Sequence, residues 1–277
     1  MSDFKIVADS SADIKTIGNI PFSSAALKII TDQKEYIDNE ALKVEEMVRE
    51  LGLYKGRSST SQPSPEDWLN AFGDAKNVFC ITITSTLSGC FNSATAAKAL
   101  YESAHPERKV FIFDSLSTGP EMALIIEKIE EMIACGENFD AICEKIPSYS
   151  ASTGLLFMLE SMKNLANNGR VKPIVAKAAG LLGIRVIGKA SDRGDLEPLE
   201  KSRGEKKALA SIKDQLSELG YKGGKLRIAH CFNPDAANYL KASVLEEFPN
   251  ADINIYPCGG LCSFYAEKGG LLIGFEK

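Results

Sequence analysis

Short apolar runs that stop at hydroxyl-rich turns and restart as helical patterns recur along the first half of the chain. Val78-Phe79-Cys80-Ile81-Thr82-Ile83 is unbroken, β-branched and aromatic, and reads as a buried strand. Thr84 to Cys90 follows as a polar turn, and from about Phe91 an alanine-rich helical pattern runs to Tyr101, ahead of His105-Pro106. Phe4 to Ala8 leads in the same way into Asp9-Ser10-Ser11-Ala12-Asp13. Lys109 to Phe113 leads into Asp114 to Pro120, and Glu121 to Ala134 then carries an apolar helical face. Such strand, loop and helix units predict a parallel sheet covered by helices. Sheets of this kind place ligand sites beyond the carboxyl ends of their strands. The polar turns are therefore the candidate binding loops, although each also serves as an ordinary helix cap.

The remaining pattern fills in around these units. Ile20 to Ser24 and Leu27 to Ile30 are extended, Thr31 to Glu35 is a polar turn, and Ala41 to Glu50 has helical spacing. Arg57 to Pro65 is a second polar loop, in which Ser64, Pro65 and Asp67 have the spacing of a capping box with proline at the first helical position. A helix is predicted over Asn138 to Ile146, stopping before Pro147, and Thr153 to Met158 reads either as a strand or as a helix start. Val171 to Leu182 has helical composition, Ile184 to Gly188 reads as a strand, and Ser191 to Asp195 as a hairpin turn before Glu197 to Leu199. Ser202 to Lys207 enters a helix that ends at Gly220. Leu226 to His230 and Ile253 to Tyr256 are further strands, separated by a helix from Asn233-Pro234-Asp235 to Phe248. Gly259-Gly260 and Gly269-Gly270 predict a turn-rich return to a terminal strand, Leu271 to Phe275. The division expected is one α/β domain over 1–155 and a second over 156–277, with N-terminal segments able to contribute to the second.

Composition removes several function classes. A chain of 277 residues with 44% hydrophobic content and a formal net charge of -5 can bury a large core and has no broad basic surface, so nucleic acid is not an expected partner. No apolar stretch approaches the roughly 18 residues of a membrane span, and the start of the chain carries no targeting pattern. Seven cysteines without a Cys-x-x-Cys pair fit a reduced, cytoplasmic protein. No metal site is expected: Cys258 and Cys262 lack identifiable further ligands, and His105 and His230 fall in no metal-ligand spacing. Neither a Gly-x-Ser-x-Gly elbow nor a glycine-rich nucleotide loop occurs, which leaves no catalytic residue to name.

Several segments taken in order resemble the DegV family of bacterial fatty-acid-binding proteins. They are Val7 to Asp13, Thr60-Ser61-Gln62-Pro63-Ser64, Leu87-Ser88-Gly89-Cys90-Phe91-Asn92-Ser93-Ala94, Phe113 to Gly119, Asn168-Gly169-Arg170 and Arg203 to Ala208. The resemblance covers nearly the whole chain. It implies a two-domain α/β fold, with an N-terminal parallel sheet flanked by helices and a smaller C-terminal domain built on a mixed or antiparallel sheet. It also implies a long-chain fatty acid as bound ligand, with no other cofactor, its carboxylate between loops and its tail in an apolar tunnel. Thr60 and Ser93 are the carboxylate contacts implied, with Ser61 as a neighbouring alternative and helix-start N–H groups around Asn92 and Ser93 in support. The expected role is that of a carrier, not an enzyme: it presents the fatty acid to a separate ATP-dependent fatty acid kinase, which makes an acyl phosphate for phospholipid metabolism. Arg170 is a candidate headgroup or partner contact. One position departs from the family pattern. Relatives often carry a histidine shortly before Gly-Pro-Gly, whereas here Tyr265 precedes Ala266-Glu267-Lys268-Gly269. A phenol keeps a hydrogen-bond donor but not histidine's proton chemistry near neutral pH. The alternative reading is a binding or transport protein for another amphipathic carboxylate or lipid, without a kinase partner.

Overall fold

The computed structural model describes residues 3–173 and 183–277, so most of the helix predicted over Val171 to Leu182 falls on residues outside those described. The three repeated units form the expected parallel sheet. Strands β1 (Phe4–Asp9), β2 (Phe22–Ala25), β6 (Asn77–Thr82) and β7 (Lys109–Asp114) lie in the order β2-β1-β6-β7, all parallel. Helices α2 (Pro65–Phe72), α3 (Cys90–Ala104), α4 (Pro120–Ala134) and α5 (Phe139–Ala151) accompany it. Ile6, Phe79 and Ile81 are fully buried in one core with Trp68, Phe72 and Ile125. The capping box at Ser64 forms as predicted, with Asp67 N–H donating to the serine hydroxyl and the Asp67 carboxylate accepting from Ser64 N–H.

The second domain is a six-stranded mixed sheet. Strands β8 (Thr153–Leu159), β9 (Ile184–Ala190), β10 (Leu196–Arg203), β11 (Lys225–His230), β12 (Asp252–Pro257) and β13 (Leu271–Glu276) follow the order β10-β9-β8-β13-β11-β12, antiparallel except for β11 with β12. Side chains alternate between its faces. On β8 and β13, Leu156, Met158, Leu271, Ile273 and Phe275 pack with α7 (Glu205–Glu218) and α8 (Pro234–Glu247), while Leu155, Phe157, Leu159 and Leu272 face the opposite way. Both faces are therefore buried.

Three sequence expectations need correction. The helix predicted to stop before Pro147 runs through it to Ala151: a proline forfeits one helical hydrogen bond, its ring is on the exposed side, and Ile142 and Ile146 remain buried. A small antiparallel sheet, β4-β3-β5, forms from Glu35–Ile37, Lys28–Ile30 and Ser59–Ser61, so Thr60 lies on a strand, not in a loop. It packs beneath α1 (Val44–Leu53). The Gly259-Gly260 region, read as turn-rich, begins a helix, α9 (Gly260–Ala266), whose Phe264 packs with Ile29, Tyr36 and Met47 of that small unit. A short helix, α6 (Lys163–Asn167), completes the set. Among the described residues, no helix is long and apolar enough to cross a membrane.

The two domains are joined closely along α4. Gly274 on β13 has no room for a side chain, since a Cβ there would sit 2.5 Å from the Pro120 carbonyl carbon at the start of α4. Further along, Arg227 on β11 is buried and donates to both Glu127 oxygens on α4 at 2.7 and 2.8 Å and to Asp252 at 2.8 Å. Removing one partner of a buried pair strands the other charge. Glu127→Ala is thus expected to cost about 3 kcal/mol of stability, with Asp252 retaining part of the compensation. Urea unfolding of the variant against the wild type checks this.

Candidate functional site

A cavity of about 70 Å³ lies where the inner face of the six-stranded sheet meets the loops at the strand ends of the parallel sheet. Its apolar wall comes from the alternation already described: Leu155, Phe157 and Leu159 on β8, Leu272 on β13 and Leu196 on β10. Leu27, Ile83 and Leu87 close it from the first domain, and Leu261, Cys262 and Ala266 of α9 from the side. Thr60, Ser88, Thr118, Arg170 and Tyr265 all line the cavity. An apolar chamber with hydroxyls and one guanidinium among its lining groups suits a molecule with a long apolar body and a small anionic or polar head.

Of the residues the sequence singled out, the structure brings together Thr60, Tyr265 and Arg170. The Thr60 and Tyr265 hydroxyls are 2.7 Å apart, and the Arg170 guanidinium carbon is 5.9 Å from the centre of the Tyr265 ring. Gly169, with φ of 74°, turns the chain after α6, and Arg170 Nε then donates to the Leu87 carbonyl at 3.2 Å. Burial pushes the Tyr265 phenol above its ordinary pKa, with the Thr60 hydrogen bond and Arg170 pulling weakly the other way, so it stays protonated through the neutral range. Ser61, Asn92 and Ser93 do not line the cavity. The Ser93 hydroxyl donates to the Pro63 carbonyl at 2.6 Å, which ties the segment carrying Thr60 to the first turn of α3, and Asn92 is exposed.

The turn after β1 anchors the surrounding walls. Ser10 to Ala12 form a single 3-10 turn, and the Ser11 carbonyl accepts from Gly119 N–H at 2.8 Å and from the Cys262 thiol at 3.3 Å. The Ser10 hydroxyl accepts from Leu27 N–H at 3.1 Å, and the Asp9 carboxylate accepts from Ile83 N–H at 2.7 Å. Burial pushes Asp9 up to about 6 despite these donors. Two more carboxylates hold α9. Asp13 accepts from Gly259 N–H at 2.9 Å, and Asp38 accepts from Gly260 and Leu261 N–H at 2.7 and 2.9 Å. Burial pushes both above the usual carboxylate range, with the neighbouring Asp38 charge adding to the rise at Asp13.

Sequence reasoning had no means of finding α9 or its contributions, Leu261, Cys262 and Ala266. Their glycine-flanked setting reads as turn, and the helix is held by carboxylates more than two hundred positions earlier in the chain. The continuous apolar run over Leu155 to Leu159 likewise left open which of its side chains line the cavity.

Comparison with known proteins gives a consistent picture. A model of the DegV family, described as an uncharacterised protein family, matches residues 3–277. A DegV domain-containing protein of Streptococcus pneumoniae is 42% identical over 277 residues, with 99% of each chain covered. The crystal structure of a DegV family protein from Eubacterium eligens loaded with heptadecanoic acid is similar at a TM-score of 0.98 and 43% identity, with 99% of each chain covered. The Streptococcus pneumoniae Fatty Acid Kinase (Fak) B3 protein loaded with linoleic acid is similar at a TM-score of 0.97 and 42% identity, also over 99% of each chain.

The buried carboxylate at the strand end sets a pH dependence. A folded value near 6 for Asp9 lies above the unfolded value of about 3.9. Its contribution to stability is therefore fully present below about pH 4 and is lost as pH rises through about 6. The melting temperature is expected to fall between about pH 4 and about pH 7, and Asp9→Asn to flatten that slope, as thermal melts across a pH series would register.

Proposed function

The chain belongs to the DegV family, and from that premise we propose that it binds a long-chain fatty acid. The observation that carries the reading is the apolar cavity with Thr60, Tyr265 and Arg170 among its lining residues, in a chain similar at a TM-score of 0.98 to a protein loaded with heptadecanoic acid. The acyl tail lies along Leu155, Phe157, Leu159 and Leu272, where each buried CH₂ contributes roughly 0.8 kcal/mol before the costs of binding.

The carboxylate takes the place of the direct Thr60–Tyr265 contact, accepting a hydrogen bond from each hydroxyl. Arg170 supplies the positive field at the mouth. Ser93 is assigned a supporting role in this arrangement, since its hydroxyl holds the Pro63 carbonyl and so fixes the strand that carries Thr60. Ser61 and Asn92 stand next to these groups in the chain but outside the cavity, and the Ser93 N–H is already taken by the Gly89 carbonyl, so they are assigned no direct contact.

The likeness to the Fatty Acid Kinase (Fak) B3 protein supports a second element: presentation of the bound fatty acid to a separate fatty acid kinase, with no chemistry performed by this chain. Tyr265 is the specific observation that favours an alternative amphipathic carboxylate or lipid as ligand, because its phenol offers a hydrogen bond without a proton to exchange near neutral pH.

Native mass spectrometry of freshly purified protein, followed by lipid extraction, tests the reading. A stoichiometric fatty acid is the expected outcome, and another amphipathic acid would move the assignment to the alternative. A delipidated, folded protein that takes up no long-chain fatty acid in calorimetry would overturn the fatty-acid reading. Thr60→Val and Tyr265→Phe each remove one donor and are expected to weaken binding by about 1 to 1.5 kcal/mol, roughly tenfold in Kd. Acyl phosphate formation with the cognate kinase, dependent on this chain, tests the partner.

A further inference from the structure

Helix α9 supplies the cavity with Leu261, Cys262, Tyr265 and Ala266, yet its first turn has no capping side chain of its own. Its three leading N–H groups are bound by two carboxylates from the other end of the chain. Asp13 takes Gly259, and Asp38 takes Gly260 and Leu261. Asp13 stands in the left-handed region, φ 57°, a conformation that aspartate tolerates better than most residues. Part of the residue reaches the surface, but its carboxylate is buried and the second oxygen, Oδ2, has no hydrogen-bond partner. A buried carboxylate oxygen left without a donor is the natural seat of a proton.

The groups around the pair act in both directions. Asp9 adds like charge from the end of β1, while hydrogen bonding from Cys262 toward Asp13 and from Ser10 toward Asp38, and the Lys15 charge toward Asp38, offset part of the cost of burial without cancelling it. Burial holds the Cys258 and Cys262 thiols and the Tyr256 phenol in their neutral forms, so none of them supplies a counter-charge.

Taking the fatty-acid reading as its basis, we propose that Asp13 and Asp38 are positioning residues for the ligand. They hold α9 against the cavity, and they do so best when a proton resides on the pair. With the proton present, both carboxyl groups bind the helix start without mutual repulsion. With it absent, two carboxylates face each other in a buried space, the hold on α9 weakens, and Tyr265 leaves its place beside Thr60. Ligand binding therefore favours proton uptake by the pair.

The test is linoleate affinity, measured by displacement of a fluorescent fatty acid, across a pH series in which the ligand's own carboxylate and the Thr60 and Tyr265 hydroxyls keep fixed protonation. The wild type is expected to bind about fivefold more weakly at about pH 8.5 than at about pH 6.5. Asp13→Asn keeps an oxygen for Gly259 but carries no charge, and is expected to remove that slope. Asp38→Ala is expected to weaken binding about tenfold at about pH 6.5, because two helix-start donors lose their acceptor, and to flatten the slope as well, because the charge that repels Asp13 is gone. A merely structural role would lower the melting temperature of these variants and leave the pH profile of Kd as in the wild type, and that result would overturn the proposal. Wild-type affinity in Asp38→Ala would do the same. If Asp13→Asn does not fold, calorimetry of the wild type at about pH 8 in two buffers of different ionisation enthalpy decides the matter. Proton uptake on linoleate binding is expected, and none would count against the clamp. A wild type that binds no fatty acid at any pH would instead remove the reading on which the proposal rests, a separate and recognisable outcome.

Discussion

The alternation of side chains along β8 and β13 is the constraint from which the rest of the molecule follows. A strand with apolar residues at nearly every position has two faces to bury, and among the described residues two long helices, α7 and α8, pack against one of them. The inner face, with Leu155, Phe157, Leu159 and Leu272, must be covered by something else. The first domain supplies that cover through α4 and the loops at its strand ends, and α9 closes the side. Cover assembled from loops is less close than cover by a helix face. The space left over is the cavity, apolar on the sheet side and polar where the loops converge.

Loops that form a wall need anchoring, and here the anchors are two short side chains and one backbone carbonyl at the end of β1. Asp9, Ser10 and Ser11 between them bind the chain at Ile83, Leu27, Gly119 and Cys262, each in or beside the wall of the cavity. Asp13 and Asp38 extend the same device to α9. Buried carboxylates are costly unless donors surround them, and these gain backbone N–H groups in return. The arrangement trades a favourable ionisation state for a fixed position, as expected where a fold holds a site open.

The join between domains has a different character. The buried Arg227 meets Glu127 and the exposed Asp252, and Lys225 adds contacts to Glu127 and Glu131 on the same helix. Such networks contribute little net stability relative to apolar packing but specify one arrangement of the parts, since any other leaves a charge unpaired. Together with the close approach of α4 to Gly274, they fix the angle between the sheets and hence the shape of the chamber.

What was legible in the sequence were the features that depend on neighbouring residues. The repeated strand, turn and helix units, the capping box at Ser64 and the helix start at Asn233-Pro234 are local chemistry, and they appear in the structure where the pattern puts them. Thr60 and Arg170 were recognisable as candidates because the ordered motifs around them resemble one family, and Tyr265 because it stands where that family's pattern has a histidine. Only the tertiary structure decided that these three side chains meet, that Ser93 turns to the Pro63 carbonyl, and that the glycine-flanked stretch at 260–266 is a helix. Local composition could not reveal that helix, because the groups that stabilise its start come from Asp13 and Asp38. Nor could it show the run through Pro147, where burial of Ile142 and Ile146 outweighs one lost hydrogen bond. Periodicity reports which face of an element is apolar, but what covers that face depends on contacts between distant parts of the chain, and the binding chamber is made of those contacts.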